Sequence, residues 1–177
     1  MVVGPGLDDP DEAGALLERL LPAIPDRTTV LLDAFALGAL GNAPTLGDPL
    51  RGRLVLTPNA LEAGFLLHED VDDLLPAMLE VADRFDAVVS GGGMVVEPLG
   101  RVRAVRAGGP GLGTSGSGDV LAGAIGGLIA RGADIADGTC WATWLHASAG
   151  DRLAQRIGPL GFLAREPADE LPALLPR

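Results

Sequence analysis

Short apolar runs alternate with helical patterns through the first half of the chain, and this rhythm restricts the fold more than any other feature. Three runs have the length and composition of buried strands, with turn-forming residues after each: 28–33, 53–57 and 87–90. Three segments carry apolar residues at helical spacing: 11–21, 61–67 and 71–85. Because strand–helix–strand units pair their strands in parallel, the pattern predicts an α/β fold with a mainly parallel central sheet and helices on both faces.

The second half of the chain adds a hairpin and further helices. Segments 94–98 and 102–105 flank the turn-forming pair Leu99-Gly100, and we expect them to append a β-hairpin to the sheet. Helices are predicted over 119–131, 137–155 and 167–175. No repeat, low-complexity linker or charge block divides the sequence, so we predict a single domain over residues 1–177.

The charged residues exclude several classes of function. The chain has 24 acidic and 13 basic residues, a formal charge of -11, and every basic residue is arginine. A net negative field repels phosphodiester backbones, so nucleic acid is not an expected partner. Without lysine, a Schiff-base mechanism and a P-loop of the G-x-x-x-x-G-K-[ST] type are impossible. Backbone amides, arginine or a metal ion must therefore hold any bound phosphate.

Cysteine content and hydropathy indicate the compartment. Cys140 is the only cysteine, which excludes a disulfide framework within the chain. No apolar run is long enough to span a bilayer, and the N-terminus lacks the regions of a signal peptide. We therefore expect a cytoplasmic location and no membrane partner.

A glycine-rich segment precedes the helix predicted at 119–131. Its glycines are Gly108, Gly109, Gly111, Gly113, Gly116 and Gly118. Because glycine has no Cβ, such a loop can bring backbone N–H groups close to an anion, and the dipole of the following helix adds positive charge. Thr114, Ser115 and Ser117 add hydroxyl donors. The segment Thr114–Gly118 is therefore predicted to bind a nucleotide phosphate.

Asp119 stands directly after this loop and has two interpretations. At a helix start it can be a capping residue, worth about 1 kcal/mol of helix stability. Beside a bound phosphate, the same carboxylate can act as a general base. The loop alone leaves both interpretations open.

Several ordered blocks resemble a known family. They are GPGL at 4–7, VLLDAFAL at 30–37, LTPNALEA at 56–63, SGSGDVLAG at 115–123, WLHASAG at 144–150 and GFLA at 161–164. SGSGDVLAG is similar to the anion-hole signature of the ribokinase-like superfamily. Together the blocks resemble the ADP/ATP-dependent NAD(P)H-hydrate dehydratases of that superfamily. The resemblance implies a ribokinase-like three-layer α/β fold.

The resemblance also implies a repair reaction, in which hydrated NADH or NADPH loses its added water while ADP or ATP is consumed, with Mg²⁺ present. Asp119 would be the catalytic base and would contact the substrate. Substrate contacts would also come from Gly6, Asp33 and Asn59. The nucleotide would lie against two segments: Ser90, Gly91, Gly92, Gly93 and Met94 at a turn, and Thr114, Ser115, Gly116, Ser117 and Gly118 in the loop.

The position of Glu62 in the sequence makes it a candidate metal-binding residue. It begins a helix just after the predicted strand 53–57, at the carboxyl edge where open α/β sheets bind ligands. A carboxylate there can order the waters of a Mg²⁺ ion. His146, in contrast, lies in an apolar helix and is interpreted as a hydrogen-bonded core residue.

Some positions depart from the family pattern. Asn59 replaces a histidine, Ser90-Gly91 replaces a lysine–glycine pair, and Phe35 replaces an aspartate. Family members carry roughly a further third of the domain before the GPGL block, so we expect an N-terminally shortened domain. A non-catalytic nucleotide-binding or oligomer-forming relative, and a small-molecule kinase of the superfamily, are the alternatives. The apolar helix with Trp141 and Trp144 also predicts a homo-oligomer.

Overall fold

The computed structural model describes residues 1–175, so the last two residues of the predicted domain 1–177 lie outside the described part. Six strands form one sheet in the order β1-β2-β3-β4-β5-β6. They are β1 (Val2–Val3), β2 (Val30–Leu32), β3 (Leu54–Leu56), β4 (Ala87–Gly91), β5 (Met94–Val96) and β6 (Val102–Ala104). Strands β1 to β4 pair in parallel, whereas β5 and β6 form antiparallel pairs. The sheet is thus mainly parallel, with a hairpin at one side.

Within residues 1–175, seven α-helices cover the sheet. They are α1 (Pro10–Leu20), α2 (Phe35–Asn42), α3 (Ala60–Leu67), α4 (Leu74–Phe85), α5 (Ser117–Ala130), α6 (Ile135–Arg156) and α7 (Glu166–Leu174). Short 3-10 turns at 21–23, 44–50 and 110–113 lie between them. No helix within residues 1–175 is long and apolar enough to cross a membrane.

Alternate residues of each strand are buried on opposite faces of the sheet, as the two-residue period of a strand requires. Val30 and Leu32 of β2 join the apolar cluster formed with α1 to α4. Leu31, between them, joins a second cluster with Ala122 and Ile125 of α5 and with α6. The sheet is therefore the middle of three layers, and the predicted three-layer α/β architecture is confirmed.

The structure corrects some of the predicted boundaries. Helix α2, which follows β2 after only two residues, was not predicted, because Phe35–Asn42 is apolar on all sides and shows no helical period. Its glycines also weaken the helical pattern. The predicted hairpin over 94–105 is confirmed as β5 and β6. Helix α5 begins at Ser117, two residues before the predicted start at Asp119.

Candidate active site at the carboxyl edge of the sheet

The parallel strands bring four loops to one edge of the sheet. Strands β1 to β4 run in the same direction, so the residues that follow each strand meet at their carboxyl ends. Those residues include Gly6, Asp33, Asn59 and the Gly92-Gly93 turn. Open α/β sheets bind ligands at this edge. The fold therefore gathers the residues that the sequence resemblance singled out.

The loop after β1 lies directly against the loop after β2. A Cβ on Gly4 would be 1.8 Å from the carbonyl oxygen of Asp33, and Gly4 has a φ of +129°. The Asp33 N–H donates to the carbonyl of Val3 over 3.1 Å. Gly6 also has a positive φ, of +81°, but no atom lies within 4 Å of the position of its Cβ. Close backbone contact thus fixes Gly4, whereas Gly6 faces open space.

Asp33 presents a buried carboxylate at the end of β2, with only 6% of its surface exposed. The Thr57 hydroxyl donates to its Oδ1 over 2.8 Å. Burial raises the pKa of Asp33, the hydrogen bonds from Thr57 and from the Ala34 backbone oppose the shift, and the negative charge of Asp119 adds to it. Thr57 was not predicted as a site residue, although its place directly after β3 could have indicated it.

Asn59 and Glu62 form a capping box at the start of α3. The Oδ1 of Asn59 accepts from the Glu62 N–H over 3.0 Å, and the Glu62 Oε2 accepts from the Asn59 N–H over 2.9 Å. Burial raises the pKa of Glu62, the hydrogen bond from the Asn59 backbone opposes this, and the nearby charge of Asp33 adds to it. Each side chain keeps a second polar atom outside the capping box, Nδ2 of Asn59 and Oε1 of Glu62.

The glycine loop ends in a helix start that is built without a side-chain cap. Gly116 is the N-cap residue, with a φ of +88°, and no side chain bonds to the first amides of α5. Gly118 and Asp119 follow in the first turn, where a helix supplies no acceptors for its own N–H groups. Asp119 is exposed and makes no capping bond, so the interpretation of Asp119 as a capping residue is wrong.

Two residues that were predicted to contact the nucleotide have hydroxyls that are buried in the protein. Ser117 is 2% exposed, its hydroxyl lies 3.0 Å from Nε2 of His146, and its N–H donates to the carbonyl of Thr114. Ser90 is 1% exposed and its hydroxyl lies 2.9 Å from that of Thr143. The expectation that both hydroxyls face a nucleotide is therefore wrong. Ser115 is exposed.

The turn between β4 and β5 needs glycine for geometric reasons. Gly92 and Gly93 both have positive φ, +55° and +76°, as a tight two-residue hairpin turn requires. A Cβ on Gly91 would be 2.6 Å from the carbonyl oxygen of Pro58. The turn, with Met94 beginning β5, thus lies beside the loop after β3 and exposes backbone at the predicted nucleotide-binding position.

A groove of about 790 Å³ opens next to the carboxylates, between α2 and α3. Phe35, Leu61 and Phe65 give it exposed apolar walls, while Asn59 and Glu62 add polar groups. Such an apolar pocket with few polar groups is typical of small-molecule sites. No group of three or more His, Cys, Asp or Glu side chains within residues 1–175 is arranged to hold a metal ion by itself.

The sequence comparisons identify the family of the chain. The sequence model of the NAD(P)H-hydrate dehydratase family matches residues 1–173. The chain belongs to this family. It is 42% identical to an ADP-dependent (S)-NAD(P)H-hydrate dehydratase of Xanthomonas campestris, covering 99% of this chain and 61% of that relative. A Neisseria meningitidis enzyme of the same name is 36% identical, over 93% of this chain and 59% of its own length.

Solved structures share the ribokinase-like fold. An ADP/ATP-dependent NAD(P)H-hydrate dehydratase from Bacillus subtilis, co-crystallised with ATP/Mg²⁺, has a TM-score of 0.80 at 23% identity, covering 98% of this chain and 62% of its own. A ribokinase-like protein from Enterococcus faecalis has a TM-score of 0.81 at 23% identity, over 98% of this chain and 61% of its own. The predicted ribokinase-like fold is therefore confirmed.

Five of the blocks that carry the family resemblance meet in this region. GPGL, VLLDAFAL and LTPNALEA end three parallel strands, SGSGDVLAG starts α5, and WLHASAG lies on α6. The structure brings the first three together at the sheet edge, and the negative charge of Asp119 reaches Asp33 from the start of α5. His146 of the fifth block contacts Ser117 of the fourth. The interpretation of His146 as a hydrogen-bonded core residue is confirmed, although its partner Ser117 was not predicted.

Proposed function

We propose that the protein catalyses nucleotide-dependent dehydration of hydrated NADH or NADPH, with ADP or ATP as the phosphoryl donor. The observation that carries the proposal is the start of α5, where exposed backbone and the exposed carboxylate of Asp119 lie together near the buried Asp33. The relatives in Xanthomonas and Neisseria are named for ADP-dependent dehydration. A family relationship over 99% of the chain, at 42% identity, supports the same reaction class.

The phosphates would be held by backbone N–H groups rather than by a lysine side chain. The amides of Gly118 and Asp119 point out of the first turn of α5, where the helix dipole contributes positive charge. Gly116 adds an exposed position with no Cβ at the N-cap. Because the chain has no lysine, this cradle supplies the stabilisation that a P-loop lysine gives elsewhere.

Asp119 would act as the base for phosphoryl transfer. It takes the proton of the substrate hydroxyl while that oxygen bonds to the terminal phosphorus and the bond to the departing nucleotide breaks. The carbon–oxygen bond then breaks, phosphate leaves with the bonding electrons, and loss of a proton from the neighbouring carbon restores the ring double bond. Water is thereby removed at the expense of one phosphoanhydride bond.

The substrate would lie in the groove beside these groups. Asn59 lines this groove and its Nδ2 would provide a donor, while Asp33 and Gly6 at the neighbouring sheet edge would provide an acceptor and close access to the backbone. The apolar walls formed by Phe35 and Phe65 suit the flat face of a nicotinamide or adenine ring.

The donor set at the edge is compatible with Mg²⁺. This ion usually keeps several waters and is bound by one or two carboxylates together with substrate phosphates. Glu62 has a carboxylate oxygen outside its capping bond, and Asp33 lies close enough for its charge to raise the pKa of Glu62. Glu62 would hold the ion through water, and the ion would neutralise phosphate charge during transfer.

Substitution of Asp119 tests the proposal. Asp119→Asn keeps the shape but removes the proton acceptor, so ADP affinity should change little while turnover falls by roughly 10²-fold. The assay measures the return of NADH absorbance from NADH hydrate with ADP or ATP. Calorimetric titration with each nucleotide, with and without Mg²⁺, gives the affinity. Asp8→Asn, at an exposed aspartate before α1, is the matched control.

Three results would contradict the proposal. Equal turnover of wild type and Asp119→Asn would exclude Asp119 as the base. Nucleotide binding without any dehydration would identify a binding module of the same family, and an absence of heat at millimolar nucleotide would exclude the phosphate cradle.

A further inference from the structure

One face of α6 contacts both predicted nucleotide-binding segments. Thr143, His146, Ala147, Gly150 and Asp151 follow one another at helical spacing, so they lie on one face of the helix. All but Asp151 are buried, although α6 lies outside the candidate site itself. These five residues, here called the α6 stripe, include three of the seven residues of the WLHASAG block, His146, Ala147 and Gly150.

Three hydrogen bonds connect the α6 stripe to the site. The Thr143 hydroxyl donates to the Thr139 carbonyl over 2.8 Å, so at its 2.9 Å contact with Ser90 the serine hydroxyl is the donor. His146 Nε2 lies 3.0 Å from the Ser117 hydroxyl at the first residue of α5. Asp151 Oδ2 accepts from the Gly108 N–H over 3.0 Å. The stripe thus holds the end of β4 and both ends of the glycine loop.

Close packing adds to these bonds. A Cβ on Gly150 would lie 2.7 Å from the Leu112 side chain, and a Cβ on Gly108 would lie 3.2 Å from that of Ala147. Glycine inside a helix costs about 1 kcal/mol relative to alanine. Gly150 is therefore best explained by the room it gives to Leu112, which lets the loop lie directly on α6.

The environment of His146 favours a fixed neutral ring. Burial lowers the pKa of His146, and the backbone of Ser117 opposes that shift. A neutral imidazole adds no positive charge beside the proposed phosphate site. Its contact instead restrains Ser117, the first residue of α5, which directly precedes Gly118 and Asp119.

We propose that the α6 stripe is a positioning surface, in which His146 and Asp151 hold the two ends of loop 108–117 so that the amides at the start of α5 face a phosphate. This inference rests on the proposed nucleotide site. His146 and Asp151 act through the loop and touch no reacting atom. The hydrogen-bonding atoms of the stripe, and not only its bulk, then determine how tightly nucleotide binds.

Substitutions of His146 separate positioning from simple stability. His146→Leu removes the bond to Ser117, so the affinity for ADP should fall about tenfold, the effect of one lost hydrogen bond. His146→Gln can place a polar atom near the Nε2 position and should recover most of that affinity. Thr139→Val is the control, because Thr139 is also buried on α6, its hydroxyl bonds only to the carbonyl of Ile135, and valine keeps the backbone carbonyl that accepts from Thr143. It should lower the melting temperature and leave ADP affinity unchanged.

Two glycines of α6 form a second matched pair. Gly150→Ala pushes on Leu112 and should reduce ADP affinity and kcat/KM, since a misplacement of about 1 Å can cost about 10²-fold in rate. Gly138→Ala introduces the same methyl group on the same helix, against Ile129 and Ala133, away from the loop. It should change stability alone.

Amide hydrogen exchange without nucleotide distinguishes failure of this inference from failure of the proposed function. His146→Leu and Gly150→Ala should speed exchange at Gly108 and Ser117, whose N–H groups donate to Asp151 and Thr114, whereas Thr139→Val should not. Unchanged exchange at both amides would overturn the positioning role. Equal loss of ADP affinity in His146→Leu and His146→Gln would also overturn it. A wild type that binds no ADP, yet shows the faster exchange in these variants, would retain the positioning role and remove the nucleotide function.

Discussion

The two sides of the candidate site are built by different means. On the phosphate side, the start of α5 offers backbone amides, and the nearby hydroxyls of Ser117 and Ser90 are buried against α6. On the substrate side, the side chains of Asp33, Asn59 and Glu62 supply the polar groups, next to an apolar groove. Backbone geometry therefore decides what the first side can bind, whereas side-chain chemistry and burial decide it for the second.

This difference is consistent with a proposed phosphate side that has no lysine. Amides at a helix start bind anions through direction and through the dipole, and both are set by the path of the backbone. The substrate side instead gathers carboxylates whose pKa values burial raises, a cost in stability that a ligand or Mg²⁺ can offset. Strain and unfavourable charge at functional sites are common for this reason.

The largest expected effect tests the contrast on the substrate side, because that side also depends on one backbone contact. Gly4→Ala would place a Cβ 1.8 Å from the carbonyl oxygen of Asp33. We expect a loss of about 4 kcal/mol or more in the free energy of unfolding, measured by denaturant titration. Gly6→Ala, with a positive φ but open space around its Cβ, should cost only about 1–2 kcal/mol. Similar losses in the two variants would show that strain, not contact, fixes Gly4.

An intermediate effect tests the dependence of the phosphate side on backbone direction. Gly116→Ala forces a side chain into a φ of +88°, with a strain of about 1–2 kcal/mol, and should weaken ADP binding about tenfold. Gly132→Ala, at a φ of +97° beyond the other end of α5, meets no atom within 4 Å and serves as the control. It should lower the melting temperature equally and leave ADP affinity unchanged. Equal affinity in the two variants would contradict a backbone cradle.

The smallest effect concerns charge on the substrate side. Since burial raises the pKa of Asp33 in the folded state, the stability gained by its protonated form is lost as pH rises through that pKa. Asp33→Asn stays neutral and keeps the Oδ1 acceptor for Thr57, so at pH 7 it should melt about 2 °C higher than wild type. The difference should shrink toward pH 4, near the ordinary pKa of an aspartate.

Asp26→Asn is the control for this measurement, because Asp26 is exposed. Removal of that charge should leave the melting temperature nearly unchanged at both pH values. A lower melting temperature for Asp33→Asn at pH 7 would mean that the Asp33 carboxylate stabilises the fold.

The phosphate loop could be predicted from the sequence more fully than the groove. Glycines followed by an aspartate and an apolar helix restrict the backbone locally. Residues 114–131 alone therefore predict a loop, then the start of a helix with Asp119 beside it. Helix α2, which forms one wall of the groove, was missed because it is apolar on every side and has no period to detect. The burial of the Ser90 and Ser117 hydroxyls was also not predicted, because it depends on contacts with α6, which is distant in the sequence.

The sequence by itself determined the family, the alternation of strands and helices, and the residue types that carry chemistry, because these depend on local spacing and composition. Only the tertiary structure decided which polar groups face the site. The register of the parallel strands brings Thr57 to Asp33, and the packing of α6 turns His146 toward Ser117. Those pairs are 24 and 29 residues apart, and separations of that size are set by how layers pack rather than by any local pattern.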